Sequence, residues 1–238
     1  MRLLIIGALA LTLAACGQPR VEPEFGAKVR AYLLENPEVL VEVSQALEAK
    51  QQAQRAEKAK ASIGPNRAKL ERDGRDHVLN PDGDITVVQF FDYNCGYCKV
   101  IAPEILEMAR TRPNVRFVFK DMVIFGASSE YAAAAASLAR TPAQFTSIHN
   151  ALMTAKPLNE AAVDRILMAH GVSPAAARAA MADGKRQTYL RDVQTLAHDM
   201  GIDGTPAFVV GEAVVHGADP DSLKAAIAAE LRRKNKTT

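Results

Sequence analysis

Two cysteines, Cys95 and Cys98, stand three positions apart in the stretch Phe90-Phe91-Asp92-Tyr93-Asn94-Cys95-Gly96-Tyr97-Cys98-Lys99. The apolar, β-branched run Ile85 to Phe91 leads into this stretch and a helical pattern from Cys98 to Arg110 leads out, which puts the pair on a strand-to-helix junction. A helix N-terminus carries about half a positive charge and several unpaired N–H groups, and both stabilise a thiolate. A step of this length on a first helical turn brings two sulfurs within bonding reach and leaves one more accessible than the other, the geometry that thiol exchange needs. Cys95 is expected to be the exposed, attacking sulfur and Cys98 the resolving one. Gly96-Tyr97 between them supplies no cation, so the Cys95 pKa is expected to be depressed without being extreme, and the redox poise intermediate. A lone Cys-x-x-C with His77, His149, His170, His198 and His216 scattered along the chain lacks the paired ligand spacing of a zinc site. No metal and no cofactor is expected.

The elements that must hold this pair follow from periodicity. His77-Val78-Leu79 reads as a short strand, Asn80-Pro81-Asp82-Gly83 as a turn, Ile85 to Phe91 as a buried strand, and Asn114 to Phe119 as another strand beyond the cysteine helix. Strand, helix, strand at this spacing is a βαβ unit with parallel strands. Ser128 to Met200 is helical almost throughout, with stops at Pro157, Gly171 and Gly184. Ala207 to Val210 and Ala213 to His216 form a hairpin about Gly211-Glu212, and Asp219-Pro220-Asp221 caps a last helix over Ser222 to Arg233. The fold class is therefore α/β: one mixed sheet interrupted by one block of helices.

At the N-terminal end, Arg2, the apolar run Leu3 to Leu13 and the small residues Ala14-Ala15 have the pattern of an export signal. The run is too short for a spanning helix. Leu13-Ala14-Ala15-Cys16 resembles a bacterial lipobox, which makes Cys16 a lipidated first residue of the mature chain; several acyl chains anchor stably where one is marginal. Gly17 in place of an aspartate points to the outer rather than the inner membrane of an envelope. Residues 16–24, with Pro19 and Pro23, read as a tether. Two helices follow, Phe25 to Glu35 and a second for which Asn36 serves as N-cap and Pro37 as first helical residue. In the second, Leu40, Val43 and Leu47 share a face, and Gly64-Pro65 ends it. The apolar seam is too short for a standard coiled coil, so it serves either to pack the helix on its own domain or to associate with another chain. With 48% hydrophobic residues in 238 the chain has ample material for a core, and a net charge of +2 gives no case for a nucleic-acid partner. The basic end Arg232 to Lys236 reads as a solvated helix terminus.

Taken together, Cys95-Gly96-Tyr97-Cys98 at the junction, Pro103 five residues on, the inserted helices, and Gly204-Thr205-Pro206 before the closing hairpin resemble the thioredoxin-fold envelope oxidoreductases of the DsbA-like superfamily. The resemblance implies a thioredoxin fold with an inserted helical domain and an N-terminal helical extension. The regions are then a lipoprotein signal (1–15), a tether (16–24), a helical arm (25–64), the first part of a thioredoxin-like domain (65–126), the inserted helices (127–200) and the second part (201–238). It implies that Pro206 is a cis-proline beside the cysteines, with Thr205 presenting its backbone, together with Gly96 and Tyr97, to an extended substrate segment. Pro103 becomes a helix kink behind the site. Gly96-Tyr97 and Thr205 look more like the disulfide isomerases and the suppressor-of-copper-sensitivity type, ScsC, than like the strongly oxidising DsbA. Gln89 stands where many relatives carry a buried acid that takes the proton of the resolving cysteine, which leaves that task to water or Lys99. Tyr32 to Leu40 resembles the extension of ScsC-type and Com1-like envelope proteins, in which such arms oligomerise the catalytic domains.

The leading expectation is a membrane-anchored oxidoreductase on the periplasmic side, acting on disulfides of unfolded or misfolded envelope polypeptides with isomerase or reductase character. It would be served by a membrane reductase. A second is a dithiol oxidase that introduces disulfides and passes electrons to a quinone-linked membrane partner. A third is a copper-binding or holdase protein without turnover; Met108, Met122, Met153, Met168, Met181 and Met200 show no clustered soft-ligand spacing and read as core fillers.

Overall fold

The computed structural model describes residues 23–236; the signal, Cys16 and the tether up to residue 22 lie outside them. Two compact units divide between Gln51 and Gln52. The first holds α1 (Pro23–Glu35) and the start of α2 (Glu38–Glu71). Phe25, Val29, Tyr32, Leu34, Leu40, Val41, Val43 and Leu47 are all exposed there. Asn36 does not act as the N-cap of α2. Its Nδ2 and its backbone N–H both donate to the Tyr32 carbonyl at 2.9 Å, which satisfies an orphan acceptor at the end of α1 instead.

The second unit begins within α2, and here the expected stop at Gly64-Pro65 is overturned: α2 continues to Glu71. Pro65 removes the bond to the carbonyl four residues back, at a cost of about 3 kcal/mol. Ala59, Ile63 and Leu70 are buried, and burying a large aliphatic side chain contributes about 1.5–3 kcal/mol, so two such anchors offset the proline. Ser62 Oγ also donates to the Asp199 carbonyl at 2.7 Å, and Asn66 Nδ2 donates to the Ser62 carbonyl at 3.1 Å. The last turns of the expected arm thus belong to the core of the second unit.

Five strands form one sheet in the order β1-β3-β2-β4-β5, comprising β1 (His77–Leu79), β2 (Ile85–Phe91), β3 (Val115–Asp121), β4 (Ala207–Val210) and β5 (Ala213–His216). β2 and β3 are parallel, from Ile85 opposite Val115 to Phe91 opposite Asp121, joined through α3 (Gly96–Thr111), as the βαβ pattern requires. β4 runs antiparallel to β2 with Phe90 opposite Ala207. The hairpin turn needs Gly211, whose φ is +61° and where a Cβ would strike the Glu230 carboxylate.

The inserted helices are α4 (Ala127–Ser137), α5 (Pro142–Thr154), α6 (Glu160–Ala169), α7 (Pro174–Ala182) and α8 (Gly184–Asp199); α9 (Pro220–Asn235) closes the chain. Alternation along β2 separates two cores. Ile85, Val87 and Phe91 face α3, α5 and α9, while Val88 and Phe90 face α2 and α8. None of the described helices is long and apolar enough to cross a membrane.

Candidate functional site

β2 ends at Phe91, and the four residues before α3 are held by one carboxylate. Asp92 Oδ1 accepts the Asn94 N–H at 2.7 Å and the Ser129 hydroxyl at 2.6 Å, and Oδ2 accepts the N–H groups of Ile124 and Phe125 at 2.8 and 3.0 Å. The Asp92 carbonyl takes the Cys95 N–H at 3.2 Å. A buried carboxylate with four donors ties the cysteine turn to the β3–α4 loop and to α4. Tyr93 points the other way, into a ring cluster with Phe91, and its hydroxyl meets His149 Nδ1 at 3.0 Å. His149 is fully buried and burial pulls its pKa down to about 3, so the ring is neutral. Asp92, Ser129 and His149 were not singled out by sequence reasoning. Asp92 two residues before Asn94 is an Asx-turn signal, whereas nothing in the sequence joins His149 to Tyr93.

Cys95 is the N-cap of α3. Its Sγ accepts the Cys98 N–H at 3.3 Å and donates to the Thr205 carbonyl oxygen at 3.2 Å. The register of β4 against β2 brings Thr205-Pro206 to this end of the sheet, and the Thr205-Pro206 bond is cis, as the resemblance implies. Both cysteines are free thiols.

The expectation of an exposed Cys95 is corrected. Cys95 is 2% and Cys98 0% exposed, because the Thr205 carbonyl closes over the first sulfur and α3 packs the second against β2. The accessible parts of the motif are Gly96 and Tyr97, the latter 71% exposed, with Val100 exposed one turn on. Ile124 and Phe125, on the loop that Asp92 holds, are exposed too.

The two thiols differ sharply in acidity. The hydrogen bond from Cys98 is the largest cause that pulls Cys95 down, to about 6. Burial opposes it, while Thr205 and the backbone N–H groups of Cys98 and Tyr97 assist. The Thr205 hydroxyl is buried with no partner, so it is available to a thiolate. Burial pushes the Cys98 thiol far up, and the hydrogen bond to Cys95 adds to the rise.

A depressed thiol pKa stabilises the folded, reduced chain above the ordinary thiol value, and that gain is lost as pH falls through about 6. Alkylation of Cys95 by iodoacetamide is therefore expected to reach half its limiting rate near pH 6; a midpoint near the ordinary value of about 8.5 would refute the stabilisation. Lys99, the alternative proton acceptor for Cys98, points elsewhere, its Nζ donating to the Ala155 carbonyl at 2.5 Å. Among the described residues no group of three His, Cys, Asp or Glu is placed to hold a metal ion.

Comparison with known proteins agrees with this geometry. Residues 86–228 match the DSBA-like thioredoxin domain, and residues 22–54 match the copper resistance protein ScsC N-terminal domain. The chain is 30% identical over 139 residues to the thiol:disulfide interchange protein DsbA of Bordetella pertussis, spanning 54% of this chain and 64% of that one. A linker-deleted ScsC variant from Proteus mirabilis superimposes with a TM-score of 0.68 at 25% identity, over 93% of this chain and all of that one. A periplasmic thioredoxin-like protein from Salmonella enterica serovar Typhimurium does so with a TM-score of 0.63 at 28% identity, over 70% and 95% of the two chains.

Proposed function

Because the chain belongs to the DSBA-like thioredoxin family of thiol-disulfide oxidoreductases, we propose that it exchanges disulfides in envelope polypeptides, with Cys95 as nucleophile and Cys98 as resolving thiol. The observation that carries this reading is the placement of Cys95 Sγ between the Cys98 N–H and the Thr205 carbonyl, with a thiol poised to ionise below neutrality. An extended substrate segment displaces the Cys95–Thr205 contact and pairs with the Thr205 backbone, so it is read through its main chain. Four apolar side chains, Tyr97, Val100, Ile124 and Phe125, stand exposed on the first two turns of α3 and on the loop that Asp92 ties to it. An unfolded chain offers apolar residues to such a rim and a folded one does not.

Isomerase or reductase character is favoured by Gly96-Tyr97, which adds no cation to the thiolate. Refolding of a scrambled-disulfide substrate tests it: the reduced soluble chain should restore native pairs without net oxidation. A chain that only oxidises reduced substrate would instead be the dithiol oxidase.

Anchoring through Cys16 to the periplasmic face of a membrane, the outer more than the inner, follows from the lipobox pattern. Electrons would be exchanged with a membrane reductase or a quinone-linked oxidase. The exposed apolar residues of α1 and early α2, with the match to the ScsC N-terminal domain, support self-association through the arm. Light scattering of the chain without its signal and anchor should give a mass above that of one copy, and deletion through Gln51 should restore a monomer. Deletion through Gly64 is not equivalent, since it removes Ala59 and Ile63 from the core. A monomer before deletion would rule out the arm's role.

A further inference from the structure

Ile124 and Phe125 are two of the four exposed side chains of the apolar rim, and they lie on a stretch with little else to hold it. β3 ends at Asp121 and α4 begins at Ala127. Between them the Met122 N–H donates to the Phe91 carbonyl at 2.9 Å, and Gln194 Nε2 donates to the Val123 carbonyl at 2.9 Å. The N–H groups of Ile124 and Phe125 have one acceptor among the described residues, Asp92 Oδ2, at 2.8 and 3.0 Å. Past them Gly126 turns the chain with a φ of +84° and caps α4 without a side-chain bond. Ser129 fastens that helix to the same carboxylate at 2.6 Å and accepts Asn94 Nδ2 at 3.1 Å. Asp92 is 1% exposed, and bonds to a buried charge are strengthened where water does not compete for it. Its carboxylate makes no contact with either sulfur. Cys95 Sγ is held by the Cys98 N–H and the Thr205 carbonyl, and the Cys95 N–H bonds to the main-chain carbonyl of Asp92, which any residue would supply.

We propose that Asp92 is a positioning residue for polypeptide substrates: its carboxylate locks the Ile124–Phe125 side of the rim to the cysteine turn, and so sets the affinity for an apolar chain while leaving the attack by Cys95 unaided. This rests on the reading of Cys95 as the exchanging sulfur. A rim carried on a loose loop would have to be ordered each time a substrate binds, and that ordering subtracts from affinity. With Asp92 in place the loop is ordered before the substrate arrives. Without the carboxylate, the two N–H groups turn to water and Ile124 and Phe125 lose their fixed place beside Tyr97 and Val100. A small disulfide without apolar side chains has no use for the rim, so its exchange does not depend on Asp92.

The test compares two substrates of the reduced chain: an apolar peptide closed by one internal disulfide, and glutathione disulfide, which carries no apolar side chain. In both reactions the substrate disulfide gains two electrons and two protons, and Cys95 and Cys98 become a disulfide. Asp92→Ala should raise the half-saturating peptide concentration about tenfold. The limiting rate with peptide, the rate with glutathione disulfide and the Cys95 alkylation midpoint near pH 6 should stay in place. Phe125→Ala should raise the half-saturating concentration about fivefold in the unsubstituted chain and add nothing to Asp92→Ala, because residues that act through one another are not additive. Whatever the folding of Asp92→Ala, the Ile124 and Phe125 amides of the unsubstituted chain should exchange with deuterium at least about tenfold more slowly than free amides. Unchanged half-saturation in Asp92→Ala, equal losses toward peptide and glutathione disulfide, additive effects of the two substitutions, or unprotected amides would overturn the proposal. No reaction of the unsubstituted chain with either disulfide would instead overturn the exchange reading on which it rests.

Discussion

Cys95→Ala is expected to lower the rate of disulfide exchange by at least about 10³-fold, while Cys98→Ala keeps the attack and loses only the release that Cys98 itself provides. The asymmetry follows from the two sulfur environments. Cys95 accepts the Cys98 N–H and has its pKa held near 6, so at neutral pH it is mostly thiolate and ready to attack. Cys98 has no exposure and its thiol is pushed up by burial, so it cannot compete as the first nucleophile. Removing Cys98 leaves a mixed disulfide without its internal leaving route, and a covalent adduct with a substrate that holds a single disulfide should accumulate on non-reducing gels. Removing Cys95 should yield no adduct at all. Equal exchange rates in the two variants would contradict these roles.

The largest effect on stability is expected at a distance from the cysteines. Lys120 on β3 donates to Asp76 Oδ2 at 2.6 Å, and both side chains are 1% exposed; the Tyr189 hydroxyl donates to Asp76 Oδ1 at 2.8 Å. Burial raises the Asp76 pKa to about 6 despite the ammonium beside it, so desolvation outweighs the attraction. Breaking such a pair leaves a buried charge uncompensated, and Asp76→Leu is expected to cost about 3–5 kcal/mol in chemical denaturation. Asp76→Leu with Lys120→Met should recover most of that loss, since replacing both charges by apolar groups is close to neutral or better. If the double variant were as unstable as the single one, the penalty would lie in packing and not in the stranded ammonium.

Much of the fold was legible because local signals and tertiary packing agree. The apolar run Ile85 to Phe91, the cap at Asp219 and the hairpin about Gly211 all fall where residue type predicts. The misreadings occur where packing overrides the local signal. Gly64-Pro65 is a helix stop in isolation, and α2 passes through it because Ile63 and Leu70 are anchored under the sheet with α8. Asn36 has the chemistry of an N-cap but bonds backwards, to Tyr32. Cys95 reads as an exposed sulfur from its place in the motif, and a carbonyl from a residue far along the chain covers it. The cysteine pair and the Thr205-Pro206 turn could be named in advance. The Asp92 hub could not, because its donors Ile124, Phe125 and Ser129 converge only through the β3 crossover and the start of α4. The orphan amide of Gln89 was visible in sequence only as the absence of an acid; its lack of partners is a property of the assembled sheet.

The most direct measurement is fragment-ion mapping of the substrate-linked species formed by the reduced, unsubstituted chain and quenched in acid at early times. If Cys95 is the attacking sulfur, the substrate thiol is found on Cys95 and the Cys98 thiol is free. Linkage to Cys98, or an even division between the two cysteines, would contradict the assignment.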